Sequence, residues 1–259
     1  MEDHPGPVVG LSALKDNYVW LFATGPASVA AVDPGAAAPV LVWLAAKQTP
    51  CQSLSHILVT HHHHDHIDGI AALRAATGAE VIGAASDRHR LPRLDREVVD
   101  DDILTLGERE VRVLAVPGHT TGHVVYLVDG KDLYSGDCLF GLGAGRLFEG
   151  TPAEMWTSLD RLRGLPEATR IFAGHEYTLA NARFLATLEP EDPEVGVLLE
   201  ELYDTTDAGR PTLPSTLGRE KRFNPFLRCD EPGFVARLGM AGQSPIEVFA
   251  RIRELRNRY

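Results

Sequence analysis

Thr60-His61-His62-His63-His64-Asp65-His66 follows directly on the apolar run Ile57-Leu58-Val59, and that junction decides how the rest of the chain is read. The run ahead of it has the composition of a buried strand. Behind it stand imidazole and carboxylate donors of the kind that borderline divalent metals such as zinc favour. If the backbone stays extended past Thr60, His61 and His63 point to the same side and can share one metal. Asp65 and His66 come after the chain bends, which lets them reach a second metal nearby. The tract is internal, ahead of the amphipathic stretch Ile70-Ala71-Ala72-Leu73, so it is not a terminal tag.

The chain around it has 259 residues, 44% apolar and 24% charged, the profile of a soluble globular protein with one large domain or a medium and a small one. A net charge of -11 argues against a general nucleic-acid binder, although a local basic patch can still take an anionic substrate. Met1-Glu2-Asp3-His4-Pro5 lacks the basic flank and apolar core of a signal peptide, and no apolar run is long enough for a bilayer, so no membrane partner is expected. Cys51, Cys138 and Cys229 are scattered and odd in number; they make neither a disulfide framework nor a paired zinc set, which points to a reducing cytoplasm. Cys138 reads as a small buried residue rather than a nucleophile.

Short strands alternate with helices over the first two-thirds. Tyr18–Phe22 and Ser28–Val32 read as neighbouring strands, with Asp33-Pro34-Gly35 turning the chain out of the second. A helix over Ala38–Lys47, a strand over His56–Val59, a helix ending near Thr77 and a strand over Glu80–Ile82 follow. After a polar interval come strands at Val111–Val116, His123–Val128 and Asp132–Tyr134. Thr151-Pro152-Ala153-Glu154 has the form of a capping box, opening a helix that ends near Gly164, and Arg170–Ala173 is a strand. Beyond Tyr177, Val195, Leu198, Leu199, Leu202 and Tyr203 share one helical face. A Pro/Gly-punctuated loop from Gly209 to Pro232 and a solvated charge cluster at Arg219-Glu220-Lys221-Arg222 are expected before a second capping box, Ser244-Pro245-Ile246-Glu247, opens the last helix. The fold class is α/β, with a domain over residues 1–175 and a small helical domain over 176–259.

Further donors stand where strands end: Gly118-His119 and His123 after Val116, Gly136-Asp137 after Tyr134, and Gly174-His175 after Ala173. Glycine ahead of each lets the backbone approach closely. In this order, Thr-His-x-His-x-Asp-His, Gly-His-Thr-x-Gly-His, Gly-Asp and Gly-His resemble the metallo-β-lactamase superfamily, and within it glyoxalase II, the hydroxyacylglutathione hydrolases, over nearly the full length. The resemblance implies an αββα sandwich with a two-metal site at one edge. It implies that His61, His63 and His119 hold one metal, that Asp65, His66 and His175 hold the second, and that Asp137 bridges them. It leaves His62 and His64 as loop residues and puts His123 in the site wall. Asp65 and Asp137 then act as ligands that position a bridging hydroxide, formed near neutral pH, for attack on a polarised carbonyl. Zinc is the first expectation for both divalent ions; iron and manganese suit the same donors.

The same resemblance narrows the substrate to a glutathione thioester. Gly143–Gly150 is similar to the stretch lining the family's glutathione pocket, with Arg146 and Phe148 where Lys and Tyr are common. Arg146 can still grip a carboxylate, whereas Phe148 lacks the hydroxyl. Tyr177 matches a tyrosine that contacts glutathione. Pro214-Ser215-Thr216-Leu217 and Asn224-Pro225-Phe226-Leu227-Arg228 are similar to the C-terminal signature, and Arg253 and Arg256 match a basic pair that holds the glycyl carboxylate. The implied reaction is hydrolysis of S-D-lactoylglutathione to D-lactate and glutathione by a monomer, the second step of methylglyoxal detoxification. A glutathione-persulfide dioxygenase or another hydrolase of the superfamily is the alternative.

Overall fold

The structure, a computed structural model, describes residues 8–46 and 53–259. Met1–Pro5, Lys47 and Cys51, on which some of the expectations above fall, lie outside the described residues. The chain divides into two compact units, one running to Ala115 and resuming over Gly122–Gly136, the other made of Val116–Thr121 and Asp137–Tyr259.

In the first unit, β1 (Val9–Ala13), β2 (Asn17–Gly25), β3 (Ser28–Val32), β4 (Ser53–Leu58), β5 (Glu80–Ala84) and β6 (Arg96–Val98) lie in that order in one sheet. The first three are antiparallel, and from β3 onward each neighbour is parallel. Parallel neighbours need crossovers. These carry α1 (Ala37–Ala45), α2 (His64–Ile67) and α3 (Ile70–Thr77), the last closed by Gly78 at φ 72°, a left-handed cap. Ile70 and Leu73 of α3 and Val40 of α1 join Val19, Leu21, Ile57 and Val81 in one core; each such side chain contributes about 1.5–3 kcal/mol.

β7 (Ile103–Leu106), β8 (Arg109–Ala115), β9 (Val124–Val128) and β10 (Asp132–Gly136) form an antiparallel meander in the same unit. Asp129 and Gly130 both take positive φ at the β9–β10 turn, as a mirror-image hairpin turn requires. The two sets of strands face each other: the Phe22 and Tyr134 rings stack at 5.2 Å, and the Tyr126 hydroxyl donates to Val59 O at 2.8 Å. β9 and β10 are buried along their whole length, so β9 shows no alternation in the sequence, only an apolar run, and β10 buries Asp132 and Ser135 as well.

The second unit holds the strand pairs β11 (Leu139–Phe140) with β12 (Gly143–Ala144), and β13 (Arg170–Ala173) with β14 (Ser215–Thr216). Its helices are α4 (Pro152–Arg163), α5 (Thr178–Leu188), α6 (Pro193–Asp207), α7 (Leu217–Phe223), α8 (Pro232–Arg237) and α9 (Pro245–Arg258). Both capping boxes form as the sequence predicts, at Thr151 and Ser244. Ala182 and Leu185 of α5 pack with Val195, Leu198 and Leu202 of α6.

Some sequence expectations need correction. The loop expected from Gly209 to Pro232 contains β14 and α7, started by Thr216, whose hydroxyl accepts from Arg219 N. Glu220 is not part of a solvated cluster; it is fully buried, with Leu142 N, Ser215 Oγ and Asn224 Nδ2 donating to it. Helix α5 has no clear apolar stripe in the sequence because its buried face includes the polar residues Thr178 and Asn181. The helix expected to end near Thr77 does so as α3, and Gly69, where a Cβ would meet Pro34 O at 2.5 Å, separates it from the short α2 in the His-rich loop.

Candidate metal centre

Within the first unit two of the donors, His61 and His66, are arranged by a single buried carboxylate. Asp33 ends β3 at φ 50°, a left-handed conformation that aspartate tolerates. Its carboxylate accepts from Thr60 N at 2.8 Å, from Thr60 Oγ1 at 2.6 Å and from His66 Nδ1 at 3.0 Å. Because the Thr60 hydroxyl hydrogen goes to Asp33, Thr60 Oγ1 accepts from His61 Nδ1 at 3.0 Å. His61 Nε2 is left as the acceptor nitrogen and lies 3.1 Å from His63 Nδ1. The backbone is extended at His63, and α2 begins at His64, so the bend falls where the sequence placed it. Asp65 Oδ2 is 3.5 Å from His66 Nε2 and accepts from Asn17 Nδ2 at 3.0 Å. Gly35 permits that approach, since a Cβ there would lie 1.8 Å from Asp65 O.

The neighbouring imidazoles have other tasks. His64 is exposed beside Asp68. His62 is held by the buried Asp87, 3.1 Å away, so it is a tethered loop residue. His123 is buried and stacks on His61 with centroids 4.8 Å apart.

In the second unit, Asp137 Oδ2 lies 3.5 Å from His119 Nε2 and 3.4 Å from His175 Nε2. His119 Nδ1 donates to Arg146 O at 2.8 Å, which fixes its tautomer and turns Nε2 to Asp137. Nitrogens with their far side engaged by carbonyl or carboxylate, and their near side converging on other donors, are the arrangement of metal-ligating histidines. The donor set is hard-to-borderline nitrogen and oxygen, which fits divalent zinc, iron or manganese.

The residues expected to bind substrate lie in this unit too. The Tyr177 ring stacks on His175 at 4.8 Å, and the Phe148 ring, 63% exposed, makes a T-shaped contact with His119 at 5.2 Å. Arg146 is exposed and Arg256 half-buried. Arg253 is buried and donates to Ala144 O at 2.8 Å, so part of its guanidinium is spent on the backbone. Burial first, then the like charges of Arg256 and Arg146, pull Arg253 down from the usual guanidinium range. Burial and Arg146 pull Arg256 down as well. An anion among these guanidiniums would offset that repulsion. Cys138 and Cys229 are buried and burial pushes both thiols up, which leaves them unreactive.

Sequence reading missed Asp33, Asn17 and Glu220. Asp33 had the same signal as His119, Asp137 and His175, a donor at a strand terminus, but Asp-Pro-Gly reads first as a turn. Asn17 and Glu220 had none, since each acts on a residue distant in sequence.

Residues 17–175 match the model of the metallo-beta-lactamase superfamily, and residues 176–259 match that of the hydroxyacylglutathione hydrolase C-terminus. A hydroxyacylglutathione hydrolase of Rhodospirillum rubrum is 47% identical over 94% of this chain and 94% of its own. The chain belongs to the hydroxyacylglutathione hydrolase family. Its fold is the superfamily's α/β sandwich with a C-terminal helical region. Among solved structures, ETHE1 from Myxococcus xanthus is similar with a TM-score of 0.66 and 26% identity, covering 96% of this chain and 90% of that one. TTHA1623 in a di-iron-bound form is similar with a TM-score of 0.59 and 27% identity, covering 85% of this chain and 100% of that one.

Proposed function

We propose that this hydrolase converts S-D-lactoylglutathione and related 2-hydroxyacylglutathione thioesters to the hydroxy acid and glutathione. The observation that carries this reading is the placement of Asp137 Oδ2 within 3.5 Å of both His119 Nε2 and His175 Nε2, in the unit that also bears the Arg146, Arg253 and Arg256 cluster. A metal-binding carboxylate and a cationic patch together suit a substrate with a reactive carbonyl and a remote carboxylate.

His61, His63 and His119 are assigned to one metal, Asp65, His66 and His175 to the other, and Asp137 to both. Two divalent ions held by these residues, zinc foremost, would supply Lewis-acid chemistry suited to hydrolysis of a thioester at neutral pH. The chain's own residues orient the donors: Asp33 holds His66 and, through Thr60, His61, while Arg146 O holds His119. Arg256, Arg253 and Arg146 attract the glycyl carboxylate, with Tyr177 and Phe148 flanking the thiol portion. The departing thiolate has a conjugate-acid pKa of about 8.5, so it leaves without a dedicated proton donor.

Residues 1–175 carry the hydrolytic chemistry and contribute Arg146 and Phe148 to substrate binding, and 176–259 supply the rest of the glutathione recognition, in a monomer that works in the cytoplasm. No helix among the described residues is long and apolar enough to cross a membrane. The test is steady-state kinetics on metal-analysed protein with glutathione thioesters against thioesters of thiols that lack the glycyl carboxylate. A preference of kcat/KM for glutathione supports the reading; equal rates remove the glutathione assignment.

A further inference from the structure

The hairpin that follows Asp137 is held by the C-terminal region at three backbone groups of its turn, Gly141 O, Leu142 N and Gly143 O. β11 pairs with β12 in the register Leu139 to Ala144 and Phe140 to Gly143, and Gly145 N donates to Cys138 O at 3.2 Å. One end of the hairpin therefore leaves Asp137, and the other delivers the Arg146 carbonyl that accepts from His119. A Cβ on Gly145 would lie 2.0 Å from Asp137 O, so the two ends are packed against each other.

At the tip, Leu142 takes φ 57°, a conformation leucine avoids and keeps only where its surroundings dictate it. Here they do. Leu142 N donates to Glu220 Oε2 at 2.7 Å, Asn224 Nδ2 donates to Gly143 O at 3.0 Å, and Asn181 Nδ2 donates to Gly141 O at 2.9 Å. Glu220 and Asn224 are themselves fully buried and joined, Asn224 Nδ2 to Glu220 Oε2, at 3.0 Å. Ser215 Oγ donates to the other carboxylate oxygen at 2.5 Å.

We propose that Glu220 and Asn224 are positioning residues for the hydrolytic site: by clamping the Leu139–Ala144 hairpin they set Asp137 and, through Arg146 O, the orientation of His119. This rests on the assignment of Asp137 and His119 as metal ligands. The C-terminal region thereby serves the metal chemistry as well as the thiol.

The test compares zinc-loaded wild type with Glu220→Ala, Glu220→Gln, Asn224→Asp and, as a control, Glu189→Ala. Glu189 is an equally buried carboxylate, paired with Arg228 and Arg237. Zinc affinity per folded chain is read by competition with a chromophoric chelator, and kcat and KM are measured separately with S-D-lactoylglutathione. Glu220→Ala and Asn224→Asp are expected to weaken zinc binding by about 10- to 100-fold and to lower kcat with KM nearly unchanged. Glu220→Gln should restore both, because its amide oxygen accepts from Leu142 N while the Ser215 hydroxyl reverses to accept. Glu189→Ala should lower the melting temperature and leave zinc affinity alone.

Wild-type zinc affinity and kcat in folded Glu220→Ala and Asn224→Asp would overturn the proposal, as would an equal loss of affinity in Glu189→Ala. If Glu220→Ala does not fold, Asn224→Asp decides, since its Oδ1 still accepts from Phe226 N. A wild type that binds zinc but hydrolyses no glutathione thioester would instead sink the functional reading, and the zinc comparison would still judge the clamp.

Discussion

Asp33 accepts from His66 Nδ1 at 3.0 Å, with both side chains buried. The same carboxylate takes the Thr60 hydroxyl and so orients His61 through it. Replacing Asp33 with Asn keeps a residue that tolerates positive φ but puts an amide hydrogen where an acceptor is needed. Asp33→Asn is expected to lower metal affinity by about 10- to 100-fold, seen as sub-stoichiometric metal per chain after gel filtration. Full metal content would show that Asp33 is a turn residue only.

Arg253 and Arg256 should separate in kinetics. Arg256 makes a side-chain contact to Asn181 Oδ1 at 3.2 Å, whereas Arg253 holds Ala144 O. Arg256→Ala should raise KM by about tenfold or more with kcat preserved, the loss of one charge-assisted hydrogen bond of about 1.5–3 kcal/mol. Arg253→Ala should raise KM and also lower kcat and melting temperature, because it frees a buried carbonyl.

Helix α9 presents both arginines and is started by the Ser244–Glu247 capping box. Ser244→Ala should cost about 1 kcal/mol, a drop in melting temperature of roughly 2–4 °C. The Glu247 carboxyl is held below the usual range by the Ser244 backbone N–H and then its hydroxyl. A depressed carboxyl stabilises above its unfolded pKa and loses that contribution as pH falls through the folded value. The gap between wild type and Ser244→Ala should therefore narrow in acid; a constant gap would show that the box does not titrate.

Glu220 has the opposite sign. Burial holds its carboxyl above the usual range, so the folded state binds the proton more tightly than the unfolded chain. Its effect on stability worsens as pH rises from the ordinary carboxylate pKa through the folded value. In metal-free protein, Glu220→Gln should gain on wild type over that interval in thermal denaturation, and a pH-independent difference would contradict it.

Much of this was legible in the sequence where one residue's neighbours in sequence are also its partners. The bend after His63, the capping boxes at Thr151 and Ser244, and the donors at strand ends are local patterns, and the structure repeats them. Glu220 is not legible in this way, because a charge between Arg219 and Lys221 looks solvated until the distant Leu142 N is known to need an acceptor. Asp33 reads only as a turn residue because its carboxylate acts on Thr60 and His66, across β4. Helix α5 hid behind Thr178 and Asn181, whose burial is repaid by Thr212 Oγ1 and Gly141 O.

The most direct measurement is a metal titration of turnover. Protein stripped by a chelator is reloaded with zinc in steps, and loss of S-D-lactoylglutathione absorbance is followed at each step. Activity should be absent from the stripped protein and should rise to a plateau at two equivalents per chain. Full thioester hydrolysis without metal, or none at two equivalents, would contradict a binuclear thioester hydrolase.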